Sequence, residues 1–200
     1  GISADVIITG QRARGAIPMD RPLGGTAFAI VTRSLVPCLA VSTALTTPPR
    51  RVLVAINSSP ASRGALLLGL SWVSAMRDRN GSPPGLTALH VHSDDGSEAA
   101  ERWKREVEHE LSILRRSAGD WAGVAVDGIA VHAQDPVRAI VDASQRLRVD
   151  LVVLGTRGAG QNGEHRLGSV TAAVLGQSRA PVLLVPPAVW RDYAKDMDYF

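Results

Sequence analysis

The sequence predicts an α/β fold: an open parallel five-stranded sheet with helices on both faces, preceded by a strand–helix–strand half-domain. Three observations carry this expectation. Short apolar runs alternate with helical periodicities across residues 52–185, as in a parallel sheet built from strand–helix units. The runs are almost continuously apolar, which suits strands covered on both faces. Residues 149–187 also resemble residues 4–42, so one unit of the pattern occurs twice.

The first copy should span residues 1–43, the carboxyl-terminal half of a domain whose first half is missing. Asp5, Gly10, Arg12 and Gly15 match Asp150, Gly155, Arg157 and Gly160. After a one-residue difference in the loop, Gly24, Ala29, Ser34, Pro37, Leu39 and Val41 match Gly168, Ala173, Ser178, Pro181, Leu183 and Val185. Residues 44–50 read as a linker, because Pro48 and Pro49 fix φ and remove backbone donors.

A complete domain should fill residues 51–187. Its first strand is the run 52–56, closed by Asn57-Ser58-Ser59-Pro60, a turn and helix-start signal. Ala65, Leu68, Trp72 and Met76 then recur at helical spacing, and 80–85 is a loop of Asn, Gly, Ser and Pro. Residues 86–91 form the second strand. Ala99, Trp103, Val107, Leu111, Leu114 and Ala118 mark one face of a long helix. Residues 124–131 are a third strand weakened by Asp127-Gly128. Asp135-Pro136 opens the next helix, with Asp as cap and Pro at the first helical position. Residues 151–154 and 182–185 are the fourth and fifth strands. In the tail, 188–200, Trp190, Tyr193, Met197 and Phe200 form a stripe that suits either a partner subunit or the chain's own domain.

Composition narrows the function. The chain is 45% hydrophobic and 20% charged with a formal net charge of +3, as expected of a folded domain. Its arginines are scattered, so nucleic acid is not an expected partner. No apolar run approaches the about 18 residues that a membrane span requires. The single cysteine, Cys38, excludes an internal disulfide framework and suits a reducing, cytoplasmic setting. It occupies the place of Val182 in the repeat, so it reads as a buried strand thiol rather than a nucleophile. His90 reads as a satisfied core or interface residue rather than a ligand. No His/Cys/Asp cluster has metal-binding spacing, and no nucleophile–base pair stands out, so neither metal ligands nor catalytic residues are assigned.

The chemistry concentrates in one segment. Gly155-Thr156-Arg157-Gly158 follows the apolar run 151–154, and nine residues later Gly168-Ser169 opens a helix. A strand, a glycine loop and a helix start make an anion site. Glycines allow close backbone approach and positive φ, and the helix start offers free N–H groups and a positive dipole end. The spacing is neither that of a Walker A loop nor of GxGxxG. Arg157 and Arg166 suit neutralisation of phosphate, but Arg157 has an equivalent in the first copy, Arg12, and suits an architectural role equally; His165, in the same loop, reads as a solvated histidine.

With the strand and loop segments 52–59, 89–91, 150–158, 168–170 and 180–185, this motif resembles the universal stress protein family. The family's ATP signature is Gly, two residues, Gly, nine residues, Gly, then Ser or Thr, and residues 155–169 match it. The resemblance implies a nucleotide-binding α/β fold that takes ATP, with magnesium able to bridge the phosphates. It implies that Gly158, Gly168, Ser169 and Val170 line the phosphates through backbone N–H groups. Gly155 would let the chain pass close to the ribose, and Ala55, Ile56 and Val91 would bracket the adenine. It also implies a homo-oligomer through fifth-strand pairing, and a role as a nucleotide-dependent sensor or regulator in stress physiology. Two rivals stand beside it: a nucleotide-free dimerisation module and a weak nucleotide hydrolase.

Two departures from the family matter. Asn57 stands where the family usually has Asp for the ribose hydroxyls. Losing charge assistance there costs about 1 kcal/mol, or about fivefold in affinity. In the first copy, Ala13 and Gly25 replace the second glycine and the serine, and Pro18, Asp20 and Pro22 crowd the loop. An alanine held at positive φ costs about 1–2 kcal/mol, so the first copy is expected to serve packing rather than ATP.

Overall fold

The computed structural model describes residues 5–10, 23–41, 47–57, 59–76, 84–94, 97–117, 124–157 and 167–197. Seven strands form one sheet. They are β1 (Ile7–Gly10), β2 (Cys38–Val41), β3 (Arg51–Ile56), β4 (Gly85–His92), β5 (Val126–His132), β6 (Leu151–Gly155) and β7 (Val182–Val185), in the order β1-β2-β7-β6-β3-β4-β5. The helices are α1 (Gly25–Arg33), α2 (Pro60–Ala75), α3 (Ser97–Ser117), α4 (Pro136–Arg146), α5 (Ser169–Gln177) and α6 (Pro187–Met197).

Strands β3 to β7 are the expected five parallel strands. The half-domain does not stand apart from them. Its β2 pairs antiparallel with β7, extending the sheet to seven strands. The register places Leu39 opposite Leu183, with Cys38 opposite Leu184 and Ala40 opposite Val182. Because Leu39 and Leu183 are equivalents in the repeat, a local two-fold axis passes between them, as at an isologous interface. Fifth-strand pairing is therefore satisfied inside the chain, and the edge of β7 expected to meet another copy is occupied by β2.

The repeat extends to hydrogen bonds. Ile7 lies opposite Cys38 and Gly10 opposite Val41, just as Val152 lies opposite Val182 and Gly155 opposite Val185. The N–H of Ile7 donates to Pro37 O at 2.9 Å, and that of Val152 to Pro181 O at 3.0 Å.

The sequence sets the helix starts. The Ser59 side chain caps α2 by accepting from Ser62 N, and Pro60 occupies the first turn. Asp135 caps α4 by accepting from Arg138 N at 3.1 Å, as expected from Asp135-Pro136. The start of β3 is tied to β6 by Asp150. Its Oδ2 accepts from the N–H groups of Arg50 and Arg51, both at 3.0 Å, and Oδ1 meets the Arg51 guanidinium at 3.1 Å. Burial works to raise the Asp150 pKa, but these donors hold it below the usual carboxylate range.

Two apolar layers cover the sheet. One joins Leu66, Leu70 and Val73 of α2 and Val107 and Leu111 of α3 to Val52, Val54, Leu151 and Val153. The other joins Ile140 and Val141 of α4 and Val174 and Leu175 of α5 to Leu53, Leu89, Val152 and Leu154. On α2 the expected face holds at Ala65, which is fully buried, and is corrected beyond it. Leu66, Leu70 and Val73 are fully buried, whereas Leu68 and Trp72 are only partly so. Helix α6 covers the outer side of α2, so burial extends around it and blurs the period. Trp190 and Tyr193 of the tail pack on this same layer, so the chain's own domain takes that part of the stripe. The Met197 side chain and Phe200 lie outside the described residues. The third strand begins at Val126 and runs through Asp127 and Gly128; as the sheet's outer strand it tolerates both.

Candidate functional site

A cavity of about 280 Å³ opens at the carboxyl ends of β3, β4 and β6. Strand order turns here, with β4 following on one side of β3 and β6 on the other, which is where ligands enter open α/β sheets. Ala55, Ile56, Asn57, Val91, Gly155, Arg157, Gly168, Ser169 and Val170 all line it. These are the site residues expected from sequence except Gly158, which lies outside the described residues, as do His165 and Arg166.

The cavity lining has two kinds of chemistry. Ala55, Ile56 and Val91, with Leu89, Ile140 and Pro136, form an apolar wall. Asn57, Ser62, Arg157, Ser169 and Thr171 bring polar groups. Arg157 is the charged side chain among the described lining residues. Helix α5 adds the positive end of its dipole, and its cap residue Gly168 supplies no side-chain acceptor. The N–H groups of Ser169, Val170 and Thr171, in the first turn, lie too early to find an acceptor within the helix.

Two expectations about Gly168 are corrected, and Gly155 carries a constraint of its own. The Gly168 N–H donates to Thr156 O at 2.8 Å, so it is not free for an anion, and the donor set moves to the next three residues. Gly168 has φ −59°, an ordinary value for any residue; the loop does not rely on left-handed backbone there. At Gly155 a Cβ would lie 2.8 Å from the carbonyl carbon of Ala61 and 2.9 Å from Ser62 N. Close approach of the first turn of α2 excludes a side chain at this position, whatever lies in the cavity.

Local bonds fix the polar lining groups. Ser62 Oγ donates to Asn57 O at 3.0 Å and accepts from Asn57 N at 3.1 Å. Ser59 Oγ donates to Asn57 Oδ1 at 2.7 Å. With its oxygen engaged by the helix cap, the Asn57 side chain has its NH₂ donors left to offer a ligand. Thr171 Oγ1 donates to Gly155 O at 2.8 Å, tying the first turn of α5 to β6. Behind the apolar wall, His90 Nδ1 meets Ile56 O at 2.9 Å and its ring stacks on Trp103 at 3.7 Å between centroids. Burial lowers the His90 pKa, which favours the neutral ring that donates to Ile56. The expected core role of His90 thus has its partner. Cys38 is likewise buried in its strand, and burial pushes its thiol pKa up.

Sequence reading missed Ser62, Leu89, Pro136, Ile140, Leu154 and Thr171. Pro136 follows the carboxyl end of β5 by a few residues, and Thr171 sits two residues after Ser169. The rule that ligands sit beyond strand carboxyl ends could have found both. Ile140 is brought in by the packing of α4, which no local pattern reports.

Among the described residues no helix is long and apolar enough to cross a membrane. The model of the universal stress protein family matches residues 49–186. A curated universal stress protein of Mycobacterium tuberculosis is 30% identical over 193 residues, covering 90% of this chain and 61% of that protein. The chain thus spans about three fifths of the length of the curated relatives it matches first. Among solved structures, a universal stress protein from Archaeoglobus fulgidus overlays on 91% of this chain and 60% of its own, with TM-score 0.64 and 22% identity. A universal stress protein in complex with cAMP overlays on 70% of this chain and 99% of its own, with TM-score 0.51 and 20% identity. At such identities the overlays show a shared fold, and the family match supplies the lineage: the chain belongs to the universal stress protein family.

Proposed function

We propose that this chain binds an adenine nucleotide, ATP, in the cavity between β3 and β6, and acts as a nucleotide-dependent sensor or regulator. One observation carries the reading. The same cavity has an apolar wall of Ala55, Ile56 and Val91, and an uncapped helix start beside Arg157. That pairing suits a ligand with a flat apolar ring and a polyanionic tail. The residues present fit ATP. The apolar wall would hold the base, Asn57 NH₂ would donate to ribose hydroxyls, and the amides of Ser169, Val170 and Thr171 with Arg157 would hold the phosphates. The bound cAMP of one structural neighbour supports an adenine nucleotide in this fold.

When bound, ATP would stabilise the folded chain by mass action, by about 2.7 kcal/mol at a hundred times its Kd. The described lining residues include no Asp, Glu or His, so the proposal stops at binding and adds no hydrolysis. A nucleotide-free dimerisation module would have to use a surface other than the β7 edge, because β7 already pairs with β2. We read β1–α1–β2 as the closing half of a second, tandem domain that takes no nucleotide. Nucleotide released from the denatured pure protein, identified by mass spectrometry, tests the proposal. An adenine nucleotide is expected in the extract, or a thermal midpoint that rises with added ATP. Neither appearing would remove it.

A further inference from the structure

We propose that His90, His92 and His132 form a proton-operated latch between α3 and the cavity, closed while the rings are neutral and opened by protonation, with ATP bound more weakly in the open form. The inference rests on the ATP reading for its ligand and adds the regulation of that site.

The latch starts from the alternation of β4. Leu86 and Ala88 face the layer that holds Val107 and Leu111 of α3, whereas Leu89 and Val91 face the layer of α4 and α5. Alternation carries His90 and His92 to the α3 side. There β5 adds His132, directly opposite His92. His90 and His92 are 5% and 6% exposed. Their ring centroids are 6.3 Å apart, and those of His92 and His132 are 5.6 Å apart. Three of the chain's five histidines thus stand in one row. Two of them continue a face that β4 otherwise fills with Leu and Ala, which pack without titrating. Histidine is the side chain that changes charge near neutral pH.

Hydrogen bonds identify the titrating atoms. His90 Nδ1 donates to Ile56 O at 2.9 Å, and His92 Nδ1 to Asp94 O at 3.1 Å. A carbonyl only accepts, so Nε2 carries the lone pair in each neutral ring. His92 Nε2 is buried without a hydrogen-bond partner among the described residues, and so is Trp103 Nε1 of α3. Unpaired buried groups make this part of the α3 seat weakly held, and a proton added to His92 Nε2 becomes a buried charge with no acceptor.

The charges around His90 compete. Burial is the strongest influence and favours its neutral ring; His92 acts in the same sense. The Ile56 carbonyl, Glu106 on α3 and Asp94 beyond β4 favour the charged ring. Asp94 is shared with Arg102, 2.6 Å from Oδ2 to Nη2, and the Arg102 guanidinium lies over Trp103. With burial dominant, protonation is relieved by hydration. That requires Trp103 to leave the His90 ring, on which it stacks at 3.7 Å between centroids.

The row meets the cavity at two points. Ile56, whose carbonyl His90 holds, lines it, and so does Val91, which stands between the two histidines in the chain. Moving this strand end to hydrate the rings moves the wall that would hold the base. By reciprocity, ATP bound to the closed form opposes protonation.

The test uses the full chain and three readouts: histidine NMR, amide hydrogen exchange and calorimetric ATP titration. Without nucleotide, protection of amides 101–109 in α3 should fall roughly tenfold from about pH 7.5 to about pH 5.5, in step with His90 titration, while amides 140–146 in α4 keep theirs. Saturating ATP should move the His90 midpoint to lower pH. The same acidification should weaken ATP binding about fivefold more in the unaltered chain than in His90→Gln, whose amide donates to Ile56 without titrating. Protonation of ATP itself is common to both proteins and cancels. His92→Leu, which extends the apolar face, should lessen the acid effect in the same direction. Unchanged α3 protection, a His90 midpoint indifferent to bound ATP, or equal weakening in the unaltered chain and His90→Gln would each overturn the latch. If no ATP binds at about pH 7.5, the ATP reading fails and takes the regulatory half with it, and the link between the histidine row and α3 stands or falls on exchange alone.

Discussion

Two copies of one design lie side by side in this molecule. In each, a glycine precedes the helix with φ near −60° (−62° at Gly24, −59° at Gly168). In each, a serine ends the helix and its hydroxyl donates to the carbonyl two residues on, at 2.7 Å from Ser34 and 2.8 Å from Ser178. The backbones agree to the level of register. What differs is the company they keep. Helix α5 opens on a cavity walled by β3, β4 and α4, while among the described residues β1 and α1 have no counterparts of those walls. A shared backbone motif is therefore not sufficient for a site. The cavity comes from the elements that flank the glycine loop, and among the described residues one copy has them.

The largest effect should separate the two glycines. Gly155→Val drives a side chain into the Ala61 and Ser62 backbone, and should cost about 3 kcal/mol. Gly10→Val meets open space and should stay within about 0.5 kcal/mol. Urea denaturation of both variants measures this. Equal losses would mean that the glycines are kept for backbone reasons common to both copies.

Next is Arg157→Ala, which removes the charged lining side chain. A charge-assisted bond contributes about 1.5–3 kcal/mol, so ATP affinity should fall roughly 10- to 150-fold. Fluorescence or calorimetric titration decides, and unchanged affinity would leave Arg157 an architectural residue.

Acid should also loosen the tie between β3 and β6. The Asp150 pKa is held below its unfolded value, so the unfolded chain takes up the proton first. The stability this group contributes is present above about pH 4 and is lost as pH falls through its folded pKa. Asp150→Asn should flatten the acid limb of a stability–pH curve. His90 works in a higher window. Burial lowers its pKa, so stability should decline as pH drops below about 6.5, and His90→Gln should remove that part.

The smallest effect is at Asn57. Asn57→Asp keeps an acceptor for Ser59 Oγ and places a carboxylate at the start of α2. It should raise ATP affinity about fivefold, and no gain would show that the ribose is not held there.

Much of this architecture was legible in the sequence because its signals are local. Asp135-Pro136 names a helix start by hydrogen bonding and ring geometry alone, and the run 151–154 names a buried strand. The strand ends followed from the same runs, while the nine cavity residues were implied by the family resemblance rather than by any local pattern. What escaped was non-local. Nothing in Cys38–Val41 states that its edge meets β7, although its match to Val182–Val185 hinted at a symmetric pair. The buried row of α2 was misread because α6, more than a hundred residues later, covers its outer side. The free donors of α5 were misplaced by one residue because the Gly168 N–H is taken by Thr156, a bond across the loop that no spacing rule reports.

The account rests on the first turn of α5 holding the phosphates of ATP, and Ser169→Asp examines that most directly. A carboxylate there repels phosphate yet suits the helix dipole, so binding can be lost without loss of fold. Calorimetric titration should show ATP binding to the unaltered chain and at least a tenfold weaker affinity, about 1.4 kcal/mol, in the variant, with a thermal midpoint unchanged or higher. Equal ATP affinity in the two proteins, or no binding by the unaltered chain, would contradict it.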